Sequence, residues 1–195
     1  ADDYYNDPKK MGYDLALCIS NEVKALSEAG CQYIQIDEPV FARKPDETHD
    51  YGMENLERAM HGILKETQRA CHICCGYPNS LDSEHYKKAD LDAYDKIADL
   101  VEDSSIDEVS LEDSHRPLDL KLLEKFKKTN VIMGLIDVAK SRVESVEEVQ
   151  KRIREVLGHI DEERLIAAPD CGLGFFDRDQ AKQKMQILSK AVKNF

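Results

Sequence analysis

The chain has 195 residues, 42% of them hydrophobic, enough for one domain or a large part of one around a buried core. Its 27 Lys and Arg against 39 Asp and Glu leave a net charge of -12, which excludes the basic footprint that nucleic acid or an anionic membrane surface demands. No run of about 18 apolar residues is available to span a bilayer, so small molecules are the expected ligands of a soluble chain. Six cysteines, with no signal peptide and a chain too large to need disulfide staples, point to the reducing cytoplasm and to no structural disulfides.

Leu15, Ile19, Val23 and Leu26 recur at helical spacing up to an Ala29-Gly30 stop, after which residues 33–37 read as a strand. The step then repeats. A helix is predicted over about 53–64, a strand from the β-prone run at 67–70 to near Cys74, and a helix over about 90–101 carrying Leu91, Ile97 and Leu100. A strand at 108–112, a helix at about 118–128 and a strand at 131–136 follow. Ser145, with Glu148 as its capping-box partner, opens the next helix. A strand at 165–168 and a final helix with Ala181, Met185, Leu188 and Val192 complete the pattern.

Five strands alternating with six helices imply a parallel α/β sheet. Polar residues gathered at the carboxyl ends of several strands are what a TIM-type (β/α)8 barrel requires. Five strands cannot close eight, and the chain opens Ala1-Asp2-Asp3 without an initiator methionine. Residues 1–195 are therefore expected to form the C-terminal portion of a single barrel domain. The N-terminal half would come from the same or another chain, and an isolated half-barrel, with two open edges, is expected to form a homo-oligomer.

Four residues carry the chemistry. His72 and Cys74 are two apart at a strand end and so share a face, while Cys71, Ile73 and Cys75 point away. Val109 and Leu111 form the apolar face of the next strand, which leaves Ser110 and Glu112 on the other. Cys171 sits in a Pro-Asp-Cys-Gly turn that ends a third strand. One imidazole, two thiolates and a carboxylate suit Zn²⁺. Taken singly, Cys74 reads as a small buried hydrophobe and His72 as a hydrogen-bonded core histidine; the four-part spacing reverses both readings. Cys71 and Cys74 form a C-x-x-C, but their opposite phase on a strand argues against a redox pair. Cys18, Cys31, Cys71 and Cys75 are expected to be packing residues.

The motifs I-Q-I-D-E-P at 34–39, H-I-C at 72–74, S-L-E-D at 110–113 and P-D-C-G-L at 169–173 occur in this order. Together they resemble the catalytic domain of the cobalamin-independent methionine synthase family, including its relatives that alkylate other thiols such as coenzyme M. The likeness runs over roughly residues 22–192. It implies a (β/α)8 barrel with zinc held by His72, Cys74, Glu112 and Cys171. It also implies methyl transfer from 5-methyltetrahydropteroyl-glutamate to homocysteine, with Asp37 holding the amino group of the acceptor and Glu38 beside it in the substrate site.

The sequence departs from the family at two places. Where the methionine synthases carry a histidine in D-x-H-S-x-R-V-x-S, resembling a proton donor near the folate nitrogen, Ala139 stands here. After the zinc glutamate the family reads E-x-S-R-S, whereas this chain reads Glu112-Asp113-Ser114-His115-Arg116, and it has no tryptophan for a folate site. His115 is then expected to supply the missing proton and Arg116 to bind an acidic group of the substrate. Two functional classes follow: a zinc-dependent alkyltransferase acting on homocysteine or on a different thiol, and a non-catalytic zinc-binding fragment.

Overall fold

The computed structural model describes residues 3–83, 86–193 and 195. Five parallel strands lie in one sheet in the order β1 (Tyr33–Glu38), β2 (Gln68–Ile73), β3 (Glu108–Leu111), β4 (Asn130–Ile136) and β5 (Leu165–Pro169). The connections carry α1 (Pro8–Glu28), a single turn α2 (Pro45–Glu47), α3 (Met53–Met60), α4 (Ala93–Asp103), α5 (Val146–Val156) and α6 (Arg178–Lys193). Local chemistry sets their ends. Asp7 accepts the Lys9 and Lys10 amides ahead of Pro8, Gly30 closes α1 at φ 94°, and Ser145 and Glu148 form the capping box of α5.

Strand alternation divides the sheet into two faces. Ile34, Cys71, Ile73, Val109, Leu111, Val131 and Met133 point toward the helices and join the main core. The registered row Asp37, His72 and Ser110 lies on the other face, which is polar toward the carboxyl ends. Cys71 and Cys75 pack as expected and Cys31 is half-buried against the core, whereas Cys18 is exposed.

Three helical expectations change. The segment predicted as a helix over 118–128 is a short 3-10 helix, Leu120–Lys125, because Asn130 is already committed to β4 through its bond to Asp107 O. Leu91 precedes α4 and is exposed. Helix α1 buries Ala16, Ser20, Val23 and Ser27, leaving Leu15, Ile19 and Leu26 outside; α6 buries Lys184, Leu188 and Ala191, leaving Met185 and Val192 outside. Both helices flank an edge strand. Leu15 and Ile19 line a cavity beside Ile36 of β1, and Val192 lines one beside Leu165 and Ala167 of β5, so these apolar residues lie along the two edge strands and stay partly uncovered.

Two ion pairs fasten helices to the strand ends. Arg152 of α5 grips Asp113 through Nε (2.7 Å) and NH2 (2.6 Å), and Lys184 of α6 meets both Glu144 oxygens at 3.0 and 3.1 Å while donating to Asp137 O and Arg142 O. These cations are saturated by acceptors, which a buried charge needs if it is not to destabilise the fold.

A bulge at Gly134 and Ile136 in the β4–β5 ladder brings Asp170 under β4. A Cβ added at Gly134 would lie 2.2 Å from Asp170 Oδ1 and 2.7 Å from its Cα, so the constraint is close approach. Gly134→Ala should therefore destabilise the protein by about 1–3 kcal/mol in urea unfolding. An unchanged midpoint would show that the approach is not required.

Candidate metal centre

The ends of β2, β3 and β5 bring His72, Cys74, Glu112 and Cys171 together, with one ligand atom from each lying within 4.8 Å of the others. A tetrahedral zinc site has ligand–ligand edges of about 3.3–3.8 Å for bonds of 2.0–2.3 Å, so closure needs only small side-chain movement. His72 Nδ1 is 2.9 Å from the Ser110 hydroxyl, and its buried Nε2 has no protein partner. With Nδ1 bonded to the serine, Nε2 is left to coordinate. His72 and Glu112 are buried, and Cys74 and Cys171 are half-buried. This donor set fits a borderline-soft divalent ion such as Zn²⁺.

The site is held from several sides by residues the sequence did not single out. Tyr94, buried on α4, donates its hydroxyl proton to Ile73 O (2.7 Å) and accepts from Glu112 N (3.1 Å), which sets the end of β2 against the end of β3. Cys75 N donates to Glu112 Oε1 at 3.1 Å. Tyr77 donates to Gly172 O (2.6 Å) and stacks on Phe175, so the turn after Cys74 is clasped to the turn after Cys171. Asp170 accepts Asp113 N and Ser114 N on Oδ1 (2.9 and 2.8 Å) and His115 N on Oδ2 (2.9 Å). Each of these bonds spans many residues. No local sequence signal announces them.

The electrostatics are those of ligands that hold protons until a cation displaces them. Burial, with Cys74 beside it, pushes the Glu112 carboxyl up to about 9. The Cys171 sulfur is the main cause that lifts Cys74 to about 11, and the same contact lowers Cys171. Burial would lower His72, but Cys74 and Glu112 outweigh it and raise the imidazole. Metal binding at such a group must release protons, and it couples the folding of three strand ends to occupancy.

The other expected residues take different places. Asp37 is exposed, in register with His72 on the same face, and accepts from Gln35 Nε2 at 2.7 Å. Glu38, one residue on, points to the opposite side; it accepts from Val40 N (2.9 Å) and lines a separate cavity of about 370 Å³ against α1 and α3. The His115 side chain is 5% exposed and its Nδ1 lies 2.7 Å from Asp170 Oδ2, with Nε2 3.5 Å from Glu112 Oε2. The ring thus stands between a ligand carboxylate and Asp170. Arg116 donates from NH1 to Ala89 O (2.6 Å) and from NH2 to Asp90 O (3.5 Å), so its terminal nitrogens hold the loop between β2 and α4.

A parallel α/β half-barrel with a thiolate-rich donor cluster at its strand ends defines the class of protein. The chain belongs to the cobalamin-independent synthase catalytic-domain family, which it matches over residues 4–194. It is 35% identical to a methionine synthase of Thermococcus kodakarensis over 97% of its own length, and 33% identical to that of Pyrococcus abyssi over 98%. Among solved structures it resembles a B12-independent methionine synthase from Shewanella sp. W3-18-1 in complex with selenomethionine, with a TM-score of 0.87, 32% identity and 98% of the chain covered. A methyltransferase from Methanosarcina mazei shares the fold at a TM-score of 0.61 over 90% of the chain. The chain spans about half the length of the curated relatives it matches, 51% in both cases above, and 56% of the Shewanella chain. Among the described residues no helix is long and apolar enough to cross a membrane.

Chelation gives a direct check on the centre. Free zinc at about 100 times its Kd should stabilise the full-length protein by about 2.7 kcal/mol, a gain that a strong chelator removes. His72→Ala and Cys171→Ser should each lose the bound metal. A melting temperature indifferent to chelation would contradict the assignment.

Proposed function

We propose that the full-length protein transfers a methyl group to a substrate thiol at a zinc ion held by His72, Cys74, Glu112 and Cys171, with homocysteine as acceptor and a methyltetrahydropteroyl-glutamate as donor. The convergence of the four donors at the carboxyl ends of three strands carries this reading. The family match supports it, as does the relative solved with selenomethionine, the selenium counterpart of the product.

Zn²⁺ bound there supplies Lewis acidity that makes a substrate thiol nucleophilic near neutral pH. Everything else falls to side chains of this chain. Two cysteines and a glutamate supply three negative charges when deprotonated, enough to leave the centre electron-rich. Ser110 holds the His72 ring, Cys75 N holds the Glu112 carboxylate, and His115, bonded to Asp170, sets its ring beside that carboxylate. Asp37 offers an exposed carboxylate on the same face, suited to an amino group on the acceptor. Arg116 contributes through the loop it holds rather than by touching substrate. In the transfer a sulfur–carbon bond forms as the donor's nitrogen–carbon bond breaks, and the nitrogen gains a proton. Ala139 cannot supply that proton, which favours a second reading with a different donor or a different thiol such as coenzyme M. We also propose that the missing barrel strands come from the remainder of the same polypeptide or from another chain.

The test is turnover by the full-length, zinc-loaded protein with homocysteine and with coenzyme M, each with methyltetrahydropteroyl-glutamate. Methionine formation that falls at least 100-fold in Cys171→Ala is the expected result. Methylation of coenzyme M alone would select the second reading. Full metal occupancy with no transfer to either thiol would overturn methyltetrahydropteroyl-glutamate as the donor.

A further inference from the structure

The described residues of the connection between β2 and α4, 74–83 and 86–92, are tied down at several points. Tyr77 is bonded to Gly172 O, and Asp82 N donates to Ala139 O (2.8 Å) while Asp82 Oδ1 accepts from Ser141 N (3.0 Å). Ala89 N donates to Cys75 O at 2.8 Å, and Arg116 holds Ala89 O from below. At Gly76, with φ 139°, the chain folds back so closely that an added Cβ would lie 2.5 Å from Lys87 O and 3.3 Å from Lys88 Cα. Lys88 is therefore fixed directly over the turn that follows Cys74.

The Lys88 ammonium is buried and has no acceptor among the described residues. It lies 4.3 Å from the centre of the Tyr86 ring. It forms no ion pair with Glu112, Asp170 or Asp137; burial lowers its pKa, those three carboxylates oppose the shift, and Arg116 adds to it. By contrast, the buried Lys184 ammonium has four acceptors and Arg152 a bidentate carboxylate. An unpaired buried ammonium is costly unless a ligand completes it. A carboxylate or sulfonate on the substrate would do so, and an amino-acid thiol carries the first.

We propose that Lys88 is a specificity-determining residue that binds the acid group of the thiol substrate, while Asp37, across the same face, meets its amino group when it has one. This rests on the thiol-transfer reading above. It also gives the loop a purpose: the ties at Gly76, Ala89, Asp82 and Tyr77 present one cation beside the metal ligands. Lys88 is silent in the sequence because it stands in a polar loop next to Lys87, with nothing to distinguish the two.

Thiol binding to the full-length, zinc-loaded protein, followed by titration calorimetry without any methyl donor, separates the possibilities. Three probes suffice: homocysteine, 3-mercaptopropionate and uncharged 2-mercaptoethanol. Lys88→Ala should weaken the two acid thiols by about 10- to 100-fold, the range of a charged hydrogen bond, and change 2-mercaptoethanol by less than about twofold. Lys88→Arg should recover part of the loss, and all variants should keep their zinc. Equal weakening of all three thiols, no weakening, or loss of metal would overturn the role of Lys88 while leaving thiol binding intact in the parent protein. Failure of the parent protein to bind any thiol would overturn the thiol-transfer reading and this inference together.

Discussion

The buried carboxylate of Asp170 is the joint on which the centre depends. It accepts three successive amides from the turn after Glu112 and also meets the imidazole of His115, so the end of β5 is locked to the end of β3. Cys171, the next residue, is thereby placed opposite Glu112. Burial raises this carboxyl to about 6, and the Asp113 and Ser114 amides pull against that rise. Gly134 leaves the room it occupies. The P-D-C-G turn thus combines two jobs in adjacent residues, one structural and one chemical.

The same logic runs through the rest of the site. Tyr94 registers β2 with β3, Tyr77 clasps the two cysteine turns, and Ser110 holds the imidazole. A metal site tolerates little positional error, and each ligand here is oriented by at least one contact from a different element. Helices α5 and α6 add Arg152 and Lys184, which pin the loops after β3 and β4 through buried ion pairs. Such pairs are weak evidence for net stability, but they fix geometry because neither partner can be left alone.

What could be read from the amino acids was whatever has a short period. The two-residue phase of His72 and Cys74, the apolar alternation that frees Glu112, and the capping box at Ser145 all depend on near neighbours, and the four ligands do converge. That the five strands are parallel followed from their alternation with helices. Contacts across tens of residues left no such mark, so Tyr94, Tyr77 and Lys88 were not legible as parts of one site, and Asp170 was visible only as a motif neighbour of Cys171. Glu38 shows the limit in miniature: adjacent to Asp37 in a shared motif, it falls on the other face by the same alternation. The stripes chosen for α1 and α6 were displaced for a different reason. Leu15 and Ile19 beside β1, Val192 beside β5, and Met185 are apolar yet stay partly exposed, and the chain spans only about half of its relatives.

The central claim is that these four residues hold zinc in order to activate a thiol. X-ray absorption at the zinc edge of the full-length protein, before and after homocysteine is added, tests it most directly. Two sulfur and two nitrogen or oxygen neighbours should be seen first, with an additional sulfur in the shell when the thiol is present. A shell that no thiol alters would mean the metal serves structure alone, and the account of a transferase would fall.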